Sequence, residues 1–142
     1  MDPENPIVKL CVEGMQAEGD GDLEKARSAF AKAWEEATDD FDRCIAAHYL
    51  ARHQSGPENG LVWNETAIRY AESVNDDRVE DFFPSLLLNL GHSHEQLGNI
   101  KEARRFYEQA VSRADALPEG RYGKIVRDAA WAGRKRVSDE SQ

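Results

Sequence analysis

The side chains in this chain best suited to chemistry are its four histidines, His48, His53, His92 and His94. Imidazole titrates near neutral pH and is a common metal ligand, so four of them near Glu95 raise the question of a metal centre or an acid–base pair. Their spacing argues against both. On a helix of 3.6 residues per turn His92 and His94 point about 200° apart and His48 and His53 about 140° apart, so neither pair has the i, i+4 step that aims two ligands at one ion. His48 and His94 read instead as core histidines. Gly19-Asp20-Gly21-Asp22 hints at a calcium loop, but it lacks spaced carboxylates and a closing glutamate, and reads as a corner between helices. Cys11 and Cys44 form no metal-ligand spacing and fall in helical stretches, where free cysteine behaves as a small apolar residue. No nucleophile beside a base, no glycine-rich phosphate loop and no paired carboxylates stand out, so the chain reads as non-enzymatic and without a cofactor.

The elements that carry these residues are clearest between Leu86 and Ala110. Leu87, Leu90, His94 and Leu97 recur at helical spacing before Gly98-Asn99, and Ala103, Tyr107 and Ala110 recur after it. Two amphipathic helices meeting at a glycine turn are expected, with Gly91 and Ala103 small enough to let them touch. The pattern has a copy. Gly14, Gly21, Ala26, Phe30 and Ala33 each lie 77 residues before Gly91, Gly98, Ala103, Tyr107 and Ala110. A unit of about 34 residues leaves room between them for one irregular unit with roughly nine inserted residues.

These residues resemble the tetratricopeptide repeat (TPR), and the resemblance covers about residues 7 to 117. It implies an all-α, right-handed solenoid in one domain, with helix pairs at about 7–40, 41–83 and 84–117 and a capping helix at about 121–137. In order, we expect helices at about Ile7–Glu18 and Leu23–Ala37, the latter turning Leu23, Ala26, Phe30 and Ala33 inward and setting Trp34 against the next unit. The middle unit opens with residues 41–54, where Cys44, Ala47, His48 and Ala51 share a stripe and His48 stands where the other units have glycine. SGPENG at 55–60 reads as a surface loop before a helix from about Leu61 to Val74. Residues 75–83 link to the third unit, whose first helix is expected to start before Pro84. In the last helix Ile125, Val126, Ala129, Ala130 and Gly133 should cover the end of the stack, while Trp131 is either exposed or leans on Tyr122.

TPR proteins are usually non-catalytic scaffolds that hold peptides or proteins in a groove lined by the first helix of each pair. That resemblance places Val8, Cys11, Val12, Met15 and Glu18, then Ile45, Ala46, Tyr49, Arg52 and His53, then Leu88, Asn89, His92, Glu95 and Gln96 along the groove. Tyr49, Arg52, His53, Asn89, His92 and Gln96 are the candidate ligand-binding residues. Members that clamp chaperone C-terminal carboxylates carry lysines, an arginine and asparagines at places that here hold Cys11, Met15, Ala46, Ser85 and Asn89, so a carboxylate clamp is not expected. A metal or small-ligand site at the central histidines is the alternative.

Charge is uneven: the net is −9 overall, with the first 40 residues strongly acidic and residues 118–142 slightly basic. An acidic half repels phosphate backbones, which disfavours nucleic acid as a partner. Arg134-Lys135-Arg136 reads as a helix end whose cations meet the negative pole of the helix dipole. The same asymmetry would allow two copies to pair antiparallel, so a homodimer is a further alternative. MDPENPIVKL lacks a charged-then-apolar signal layout and no apolar run approaches the roughly 18 residues of a membrane span, so a soluble, cytoplasmic protein is expected.

Overall fold

Proline at the first position of a helix sacrifices no hydrogen bond, and Pro6 opens α1 (Pro6–Gly19) with the Asn5 side chain accepting from the Ile7 amide. The computed structural model describes residues 2–74 and 77–140, and every regular element among them is helical. α1 ends in a left-handed glycine turn, Gly21 having φ +80°, and the Asp22 carboxylate accepts from the Lys25 amide at 3.1 Å to start α2 (Leu23–Glu36). α1 and α2 pack as a pair. The chain continues with α3 (Asp40–Leu50), a 3-10 turn at Ala51–His53, α4 (Pro57–Val74) and the short α5 (Asp77–Glu80). α6 (Phe83–Gln96) and α7 (Ile100–Ala114) form the strongest pair, and α8 (Arg121–Glu140) closes the order. No helix among the described residues is long and apolar enough to cross a membrane. Contacts divide the chain into two compact units, Met1–Arg78 and Val79–Gln142.

In the first unit a methyl built on Gly14 would collide with the ring of Phe30, which is completely buried. Glycine is therefore what allows α1 and α2 to approach, and Phe30 fills the space, a burial worth about 1.5 to 3 kcal/mol. α3 lies against this pair, with Tyr49 stacked on Phe30 at 5.2 Å, and is itself covered by α4. Trp34 meets Trp63 edge-on at 5.0 Å and Tyr70 at 6.1 Å, so it does pack onto the following helix pair.

Three expectations for these elements are corrected. Residues 57–60 are helical: Pro57 begins α4, the Gly60 amide bonds Gly56 O, and only Ser55-Gly56 breaks the chain, with Gly56 at φ +88°. Proline and glycine there mark a helix start, which the composition of a loop resembles. Leu23 does not face inward but is 50% exposed, because as the first residue of α2 it lies beyond the end of α1. Ile125 is 55% exposed; the covering face of α8 is Val126, Ala130, Gly133 and Val137, all buried, and Ile125 sits a residue off that stripe. α6 starts at Phe83 with Pro84 in its first turn, as expected, while Asn75 and Asp76 of the expected link lie outside the described residues.

The second unit repeats the first with different atoms. Gly98 has φ +80° like Gly21, and a methyl on Gly91 would lie 2.8 Å from the Tyr107 ring, which is fully buried like Phe30. α8 adds Gly133 to the other side of that ring, and Val137 joins Ala103 and Tyr107 in one cluster. At the corner between α7 and α8, Leu117 packs with Ala114 and Val126.

Candidate functional site

The six candidate residues fall three in each compact unit. In the first, Tyr49, Arg52 and His53 are brought together, and the residue that gathers them is Glu18 at the end of α1. Arg52 Nη1 donates to Glu18 Oε1 at 2.9 Å, and His53 Nε2 is paired with Glu18 Oε2 at 2.8 Å. His53 also stacks on Phe30 at 5.5 Å, and the Arg52 guanidinium lies 4.9 Å over the Tyr49 ring. Tyr49 is thus buried and spent on the fold, which corrects its expected place on a binding surface. The reason is rotational: the face of α3 that carries Tyr49 is turned onto Phe30. Val8, Cys11, Ile45 and Ala46 are buried for the same kind of reason and line no surface. Arg52, with 45% of its side chain exposed, is the member of the group most open to a ligand.

In the second unit Asn89, His92 and Gln96 stand on α6 within about 60° of one another, a single stripe. His92 and Gln96 are exposed and Asn89 is half-buried. Beside them Glu95 plays the part of Glu18. Arg136 Nε and Nη2 donate to its two oxygens at 3.0 and 3.1 Å, a two-pronged pairing, and Tyr107 Oη donates at 2.7 Å. The Arg136 guanidinium, first among several influences, holds the Glu95 carboxyl below its ordinary range. Burial, with help from Glu95, pushes the Tyr107 phenol up, so it stays a donor.

The organising glutamates were expected along the groove but not among the six ligand-binding residues, and the signal for their shared part was present: Glu18 and Glu95 are also 77 residues apart. Each sits at the end of a first helix and receives an arginine, Arg136 from α8 in one case and Arg52 from the 3-10 turn after α3 in the other.

The histidines do not converge. His48 is buried, edge-on to Tyr49 at 5.0 Å, and burial together with the Arg52 charge lowers its pKa to about 3, so it is neutral. His94 is half-buried and not a core residue: its ring stacks on Phe106 at 5.4 Å and Nδ1 lies 3.2 Å from Asn99 Nδ2. As the third residue from the end of α6 it lies beside the turn, which leaves one side open. Among the described residues no group of three or more His, Cys, Asp or Glu is arranged to hold a metal ion. Of the carboxylate-clamp places, Cys11 and Ala46 are fully buried and Ser85 is bonded to the Tyr122 hydroxyl at 2.6 Å.

A family model described as Tetratricopeptide repeat matches residues 84–116, which are α6 and α7 with the turn between them. No curated protein and no solved structure matches the chain. The matched pair carries Gly91 against Tyr107, the glycine turn and Glu95, so residues 84–116 are a tetratricopeptide repeat, and α1 with α2 carries the same features 77 residues earlier.

Proposed function

We propose that this protein holds a protein or peptide partner on the exposed face of a first helix, α6, without catalysis. The observation that carries the reading is the polar row Asn89, His92 and Gln96 on α6, two of whose members are exposed. Side chains of this kind accept and donate hydrogen bonds to an extended backbone, and the row has the helical spacing of a continuous contact stripe. Arg52 is the proposed contact in the first unit. Its guanidinium is shared with Glu18, so a ligand carbonyl or carboxylate there meets an arginine already oriented by an in-chain partner.

The test uses a partner identified by capture and then measured in isolation. His92→Ala and Gln96→Ala should each weaken binding by about 1 kcal/mol, the size of one hydrogen bond, with melting unchanged because both are exposed. Arg52→Ala should cost on the order of 2 kcal/mol in affinity. Lys25→Ala and Arg105→Ala, exposed on the second helices α2 and α7, serve as controls. Affinity that falls for the control pair and not for the α6 row would place the working face elsewhere.

A further inference from the structure

α8 stands against α6 and α7 as α3 stands against α1 and α2. Arg136 bonds Glu95 as Arg52 bonds Glu18, and Gly133 lies on the Tyr107 ring as Tyr49 lies on the Phe30 ring. Both correspondences are steps of 84 residues, and the same step takes the fully buried Ala46 to the fully buried Ala130. Two helices in the same place should have the same faces covered. They do not. On α3, Cys44, Ala47 and His48 are buried, and α3 is packed along α4, whose Ala67 and Ala71 are fully buried. Eighty-four residues later the same stripe of α8 reads Asp128, Trp131 and Ala132, all exposed, Trp131 by 51%. An open depression of about 400 Å³ runs along Trp131, Ala132, Arg134, Lys135 and Ser138. A large aromatic, half exposed, stands at the position where α3 presents alanine to a neighbouring helix, on the side of α8 away from its covered face.

We infer that this outer face of α8 is a docking site for an acidic amphipathic helix of a partner protein, laid along Trp131 and Ala132 as α4 lies along α3. Charge selects the occupant. Arg121, Lys124, Asp128, Trp131, Lys135 and Ser138 share a stripe about 100° wide, Lys124 neutralises Asp128 at 2.7 Å, and Arg134 lies over the Trp131 ring at 5.0 Å. Arg134 has an in-chain carboxylate, Glu108, at 4.0 Å, so the cations that border the apolar centre for a ligand are chiefly Arg121 and Lys135, which a helix with glutamates flanking its apolar strip complements. Two α8 faces from two copies would set cation against cation, which disfavours symmetric self-pairing. The site is separate from the α6 row, so the two readings stand or fall apart.

The experiment is a selection. Peptides of 18 residues, the length of α4, are displayed on yeast with leucine and alanine fixed on one helix face and the flanks varied among Glu, Gln and Lys, then sorted against the whole labelled chain. Winning sequences should carry net negative flanks, lose at least about tenfold in affinity for Trp131→Ala and for Lys135→Glu, weaken as salt rises, and bind His92→Ala unchanged. Lys135 is exposed, so that variant keeps the test open should Trp131→Ala fold poorly. No winners, winners with neutral or basic flanks, or winners indifferent to both α8 variants would overturn the assignment. A chain found dimeric by sedimentation and rendered monomeric by Trp131→Ala would also overturn it, since the occupant would then be a second copy.

Discussion

Glu95 shows how one carboxylate can fasten three helices. It lies on α6, accepts from Tyr107 on α7 and from Arg136 on α8. Arg136 is half exposed, so screening limits the pair, and Glu95→Gln is expected to cost about 1 kcal/mol at pH 7. Because the folded carboxyl titrates below the ordinary value of 4.5, this stability is present above that pH and is lost as the pH falls through the folded value. Chemical denaturation across pH should therefore show the wild type and Glu95→Gln converging in acid. His48 works in the opposite sense for a histidine that gains an ion pair. Its folded pKa is about 3 against 6.5 when unfolded, so the folded chain refuses a proton that the unfolded chain accepts. Stability should be complete above pH 6.5 and fall by about 1.4 kcal/mol per pH unit below it. A His48→Gln variant, even if less stable at pH 7, should lose less between pH 7 and 5, as read by melting temperature.

At the scale of the helix, glycine has two meanings that a stability measurement separates. Gly91 permits contact with Tyr107, so Gly91→Ala should overpack the α6–α7 crossing and cost about 1 to 3 kcal/mol. Gly60 lies inside α4 with its nearest neighbour, Ala51 O, at an ordinary 3.6 Å, so Gly60→Ala should be neutral or stabilise by up to about 1 kcal/mol through helix propensity. Opposite shifts in melting temperature are expected; a drop of similar size for both would contradict the crossing assigned to Gly91. These two glycines also mark what a sequence can disclose. That Gly91 sits at a crossing and that Tyr107 belongs to the same motif was readable because Gly14 and Phe30 repeat them 77 residues earlier; that the ring lies on the glycine itself is settled by packing. Gly60 misled because Ser55-Gly56-Pro57 has the composition of a loop while Pro57 is the first residue of a helix. Ile125 misled by a single step, since rotating α8 by one residue exchanges a covered side chain for an exposed one.

Across the whole molecule the net charge of −9 falls entirely in residues 1–78, and residues 79–142 balance. The acidic unit holds Arg52 against Glu18, whereas the neutral unit presents the α6 row and the cationic face of α8. The placement of the candidate residues was half legible. Spacing along α6 alone puts Asn89, His92 and Gln96 on one stripe, and the structure leaves His92 and Gln96 exposed. Tyr49 could not be placed that way, because which side of α3 faces Phe30 is settled by packing between helices and not by the period of either one. The central claim is that a partner is held along the α6 row, and it is tested most directly by NMR on the isotope-labelled chain as the captured partner is added. The Asn89 and Gln96 side-chain amides and the His92 ring should shift first and in proportion to occupancy, with the Lys25 and Arg105 neighbourhoods unmoved. Shifts confined to α2 and α7, with the α6 side chains silent at saturation, would contradict the account.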